Sequence, residues 1–162
     1  MKLIKILGIG SPFGDDQAGW RVVELLKDHV FMQPNIYEYV EMACCDRPGT
    51  RLIELMYNTN RVFLIDAVKS GNTIGLIHRL KNDEIQELNC LMSTHHVGVA
   101  EALQLGRALN ELPENIILYG IEIDNIELHS TISEAVEQAI KQVALLLKNE
   151  IINLLNMKGI TV

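Results

Sequence analysis

Uninterrupted apolar runs alternate along this chain with stretches where apolar residues recur every three or four positions. Lys2 to Ile9 is dense in Ile and Leu and meets Gly8 and Gly10, which predicts a buried strand. Asp15 to Val30 follows with Trp20, Val23 and Leu26 at helical spacing and Leu25 beside them. Ile36 to Met42 alternates as a second strand. Thr50 to Tyr57 is a short helix. Arg61 to Val68 is the most apolar strand of the chain, a pattern that belongs to the centre of a sheet. Ser70-Gly71-Asn72 signals a turn, and the strand after it, Ile74 to Leu80, is close enough to pair antiparallel with the strand before it. Val97 to Leu109 is a helix, Asn115 to Ile123 a last strand, and Ser133 to about Met157 a long helix. That helix carries Val136, Ile140, Val143, Leu147, Ile151 and Leu154 on one stripe, with Thr131 and Glu134 matching a capping box or Ser133 capping instead.

The order βαβαββαβα predicts an α/β fold of three layers, a mostly parallel five-stranded sheet with helices on both faces. Repeats, low-complexity stretches and linkers are lacking, so residues 1–162 read as a single domain. Apolar residues make up 48% of the 162, enough for a sizeable core. Lys and Arg total 14 against 21 Asp and Glu, for a formal charge of −7. An acidic chain without a basic cluster argues against nucleic acid or an anionic membrane as partner. The three cysteines, Cys44, Cys45 and Cys90, make no disulfide framework, and no run reaches the length of a signal-peptide core or a membrane span. The expectation is a monomer in the reducing cytoplasm.

Three short segments, far apart in sequence, carry the candidate chemistry. Gly8, Gly10 and Gly14 lead into Asp15-Asp16, Asp66 ends the run Val62-Phe63-Leu64-Ile65, and His95-His96 precede a helix. Carboxyl ends of parallel strands line one crevice, where two carboxylates and an imidazole suit a divalent metal. The glycine turn resembles a dinucleotide loop, but the two aspartates put negative charge where a phosphate would sit, and Pro12 removes an N–H. One aspartate can cap the helix while the other faces the crevice. Asp66 is either a functional carboxylate or one tied to the turn that follows. A histidine at a helix start stays neutral and able to bind metal, or is only a cap or a packed ring; the pair does not choose between His95 and His96. His29, His78 and His129 have no partner at ligand spacing. Cys44 and Cys45, at the end of the second strand, are packing residues before they are nucleophiles. No Gly-x-Ser-x-Gly elbow is present.

Together the segments resemble the hydrogenase maturation endopeptidases, over nearly the whole chain from Lys2 to about Lys148. The family's G-x-G-N and D-[DE]-x-x-G read here as Gly8-Ile9-Gly10-Ser11 and Asp15-Asp16-Gln17-Ala18-Gly19. Its strand-end aspartate falls on Asp66, and its S-x-H-x-x-G on Ser93-Thr94-His95-His96-Val97-Gly98. The resemblance implies a five-stranded twisted sheet between helices, and it implies that Asp16, Asp66 and His95 are the metal ligands and the catalytic set, with Asp15 left as the cap. Two departures stand out. Ser11 replaces the usual Asn, and Cys44-Cys45-Asp46-Arg47-Pro48-Gly49-Thr50 replaces the family's D-G-G-T loop.

The resemblance further implies an endopeptidase that trims the C-terminal tail of a nickel–iron hydrogenase large-subunit precursor. The metal would be the nickel already inserted in that substrate, with other divalent ions able to stand in for it in vitro. The metal could polarise the scissile carbonyl, lower the pKa of an attacking water, or only report loading. Two rivals remain at this level: a metal- or nucleotide-binding α/β module without turnover, and a related protease acting on another protein.

Overall fold

The computed structural model describes residues 2–30, 36–87, 92–93, 98–124 and 131–160. Its elements are β1 (Ile4–Gly10), α1 (Ala18–Val30), α2 (Ile36–Tyr39), β2 (Val40–Asp46), α3 (Leu52–Met56), β3 (Arg61–Lys69), β4 (Ile77–Lys81), α4 (Glu84–Glu87), β5 (Met92–Ser93), α5 (Val99–Ala108), β6 (Asn115–Glu122) and α6 (Glu134–Met157). Tight 3-10 turns at Gly14–Gln17 and Gly49–Arg51 lead into α1 and α3.

Five strands follow the order β2-β1-β3-β6-β4. β1 runs parallel to β2 and to β3, and β3 runs parallel to β6; β4 alone on this path is antiparallel, against β6. The two-residue β5 adds to β3 off this path, pairing Val68 with Ser93. Helices cover both faces, as expected. Period-two alternation sorts each central strand between two cores. Ile4, Ile6, Phe63, Ile65, Ile117, Tyr119 and Ile121 pack with α1 and α6. Leu7, Ile9, Val62, Leu64, Ile116 and Leu118 pack with α3, α4 and α5.

Several expectations are corrected. The strand after the Ser70 turn is antiparallel, but its partner is β6 rather than β3. β3 already has β1 on one edge and β6 on the other, so the returning chain must go one strand further out. Ile36–Tyr39 forms a helical turn, not the start of β2. Strand pairing begins with Ile4 opposite Val40, and Ile36 is buried in the helix-side core instead. β3 continues to Lys69, so Asp66 lies inside the strand, one residue past the last β1–β3 pair, Gly8 with Ile65. On α6 the buried stripe ends at Leu155 rather than Leu154, and the residue before the helix is Ser133, not Thr131. Among the described residues no helix is long and apolar enough to cross a membrane.

Candidate functional site

The carboxyl edge of β1 and β3 is built by a close backbone crossing. An added Cβ at Gly19 would stand 2.2 Å from the carbonyl oxygen of Ile9 and 2.5 Å from that of Ile65. Only glycine lets α1 start directly over these two strands. The turn Gly14–Gln17, which carries both aspartates, consequently packs against β3 as well as β1. Trp20 Nε1 donates to the carbonyl of Cys45 at 3.0 Å, and Arg47 N to that of Gly10 at 3.1 Å, which joins the end of β2 to the same edge.

Asp16 is 1% exposed and Asp66 2%. Ser11 Oγ donates to Asp16 Oδ2. Asp66 lines a cavity of about 10 Å³ with Ile9, Pro48, Gly49, Leu52, Gly98 and Val99, on the face that packs α3 and α5. Space of that size holds at most one water. Burying an ionised carboxylate is costly without hydrogen bonds or a cation. Asp16, in the turn after β1, and Asp66, in β3 just past its last pair with β1, are thus two buried carboxylates on one edge of the sheet.

His95 and His96 lie outside the described residues. So does His129. Gly98, which opens α5, shares the Asp66 cavity. Among the described residues no three His, Cys, Asp or Glu side chains gather into a metal-holding group.

Asp15 is not the cap of its own helix. Its carboxylate accepts hydrogen bonds from Ser133 N at 2.6 Å and Ser133 Oγ at 2.8 Å, at the start of α6. The turn before α1 begins at Phe13, with no side-chain cap. Asp15 thus fastens the site turn to the last helix, and nothing in the local sequence names a partner so distant.

Arg47 puts an exposed cation beside this edge. Its guanidinium is hydrogen-bonded to Asp46 at 2.6 Å, and that carboxylate first, with Asp16 contributing after it, holds Arg47 above its ordinary value. Cys44 is exposed and Cys45 buried. Burial pushes both thiols up, only partly offset at Cys44 by Lys27 and at Cys45 by Arg51. Neither is an activated thiolate at neutral pH.

Glu122, at the end of β6, was passed over in the sequence and is a heavily engaged carboxylate. It is fully buried and accepts from Ser70 N at 2.6 Å, Ser70 Oγ at 2.7 Å, Asn72 N at 3.2 Å and His78 Nε2 at 3.0 Å. Burial alone would raise its pKa, but these donors outweigh burial and lower it. The signal that marked Asp66, a charge at the end of an apolar strand, was equally present after Ile116 to Ile121. His78, without a partner by sequence spacing, finds one here across the β4–β6 pair.

Residues 21–150 match the sequence model of the HycI family, described as hydrogenase maturation protease. The chain is similar to the hydrogenase 2 maturation protease of Escherichia coli, with 29% identity over 86% of this chain and 87% of that one. In structure it is similar to the hydrogenase maturating endopeptidase HybD from E. coli, with a TM-score of 0.78, 27% identity, and coverage of 99% of this chain and 96% of the other. The fold is also that of the [NiFe] hydrogenase maturation protease HybD from Thermococcus kodakarensis, with a TM-score of 0.71, 22% identity, and coverage of 92% and 98%.

Proposed function

The chain belongs to the hydrogenase maturation protease family and is an endopeptidase, and we propose that it removes the C-terminal tail of a nickel–iron hydrogenase large-subunit precursor after nickel insertion. The observation that carries this reading is the pair Asp16, in the turn that follows β1, and Asp66, inside β3 just past its last pair with β1, both almost wholly buried. Hard carboxylate oxygens fit a divalent ion, and an incoming cation offsets the cost of their burial. In this reading Asp16, Asp66 and His95 take hold of the nickel that the substrate carries. The reaction takes place in the cytoplasm, with the enzyme as a monomer.

Peptide hydrolysis adds water to the scissile carbonyl carbon and breaks the C–N bond, and a proton from that water ends on the leaving amine. Bound nickel supplies Lewis acidity or a loading signal. Asp16 or Asp66 can accept the water's proton and return it to the amine. The thiols of Cys44 and Cys45 take no part. The test is incubation with nickel-loaded and nickel-free precursor, reading tail removal by intact mass. Equal processing of both forms would overturn the reading.

A further inference from the structure

An aspartate is poorly held by its own rotamers. Its χ2 is a broad, two-fold torsion, so a carboxylate that must meet a ligand in one plane needs an outside donor. In this chain that donor is visible. Ser11 lies just past the end of β1 and is 3% exposed; its Oγ donates to Asp16 Oδ2. Its backbone N also donates to the Asp16 carbonyl at 3.3 Å, while Asp16 N donates to Phe13 O at 3.0 Å. One residue therefore fastens both the main chain and the side chain of Asp16. The loop can fold back this far because position 10 is glycine: an added Cβ there would stand 2.5 Å from the Asp16 carbonyl oxygen.

We infer that Ser11 is a positioning residue for divalent-metal recognition, fixing the plane of the Asp16 carboxylate. The inference rests on the proposed role of Asp16 as a ligand. A hydroxyl donating to an ionised carboxylate makes a short, charge-assisted bond, stronger than a neutral one. Backbone closure of the loop survives loss of the hydroxyl, so Ser11→Ala removes the side-chain restraint and leaves the turn in place. Partners of this kind, which hydrogen-bond a ligand and do not touch the metal, change affinity about 10- to 100-fold when removed.

The experiment titrates the full-length, isotopically labelled chain with nickel chloride, reading paramagnetic broadening of backbone amides, which detects weak binding. Ser11→Ala and Ser11→Gly should move the midpoint up about 10- to 100-fold. Ser11→Thr, which keeps the hydroxyl, should return it close to wild type. Melting temperatures recorded alongside separate a loss of fold from a loss of affinity, and the second hydroxyl-free variant serves if the first fails to fold. An unchanged midpoint in folded Ser11→Ala, with binding abolished by Asp16→Ala, overturns the role of Ser11 and leaves the ligand reading standing. Absence of broadening in the wild-type chain up to millimolar nickel overturns both.

Discussion

Asp15 and Ser133 stand 118 positions apart, yet the Asp15 carboxylate accepts both the backbone N–H and the hydroxyl of Ser133. This pair ties the turn that carries Asp16 to the start of α6. A carboxylate placed there also answers the unpaired N–H groups and partial positive charge of a helix N-terminus. Asp15→Ala should therefore lower stability by about 0.5–1.5 kcal/mol, since the contact is exposed. Tail removal should persist at reduced rate. The check is chemical denaturation beside a processing assay. Loss of processing without loss of stability would place Asp15 in the chemistry instead.

Asp16→Ala and Asp66→Ala should fold and yet lose processing by more than the 10- to 100-fold typical of groups that only hydrogen-bond a metal's ligands. His95→Ala should do the same, whereas His96→Ala should reduce processing only modestly. Circular dichroism and processing of loaded precursor give both readouts. Complete loss with His96→Ala alone would show that the other ring is the ligand.

The double variant Cys44→Ser, Cys45→Ser should retain turnover. Burial raises both thiols, so neither is poised as a nucleophile near neutral pH. The loop they open faces the site edge, and substrate affinity is where a change should appear. A folded but inactive double variant would point to thiolate chemistry.

Glu122 predicts a pH dependence of stability. Its folded-state pKa lies below the ordinary glutamate value because the donors from Ser70, His78 and Asn72 outweigh burial. A depressed carboxylate pKa contributes stability above the unfolded value, about 4.3, which is lost as pH falls through the folded one. Glu122→Gln turns one acceptor into a donor among donors and should cost about 1–3 kcal/mol at neutral pH. Melting temperatures of the two proteins should converge as pH drops below about 4. A constant gap down to acid unfolding would contradict this account.

Much of the sheet was legible because apolar runs announce themselves. Apolar Val62-Phe63-Leu64-Ile65 marked β3 as central, and its charge at Asp66 stood out against that run. The first motif lies in the tight turn that leads into α1, with the helix itself starting at Ala18 rather than Asp15. What escaped depends on contacts between distant segments. The partner of β4 is decided by which edges of β3 are already occupied, and no local pattern encodes that. Ile36 to Val40 reads as an alternating strand, but parallel register with β1 begins only at Val40. The bonds from Asp15 to Ser133 and from Glu122 to Ser70 close long loops, and spacing says nothing about them.

The last prediction concerns when cleavage occurs. Asp16, Asp66 and His95 would offer two oxygens and one nitrogen, leaving coordination positions open for groups of another protein. A site completed by its substrate holds metal weakly by itself, so the purified enzyme should carry little nickel, measured by elemental analysis. A short peptide with the tail sequence should not be cut, because binding energy appears only when metal and chain end arrive together. The folded, nickel-loaded precursor should be cut. Chelator added before nickel insertion should block processing, whereas treating the isolated enzyme with chelator and then removing it should not. Stoichiometric nickel in the purified enzyme, or efficient cleavage of nickel-free precursor, would mean that the carboxylates serve a resident metal or none. Either result would retain the protease and discard the sensing of nickel as its trigger.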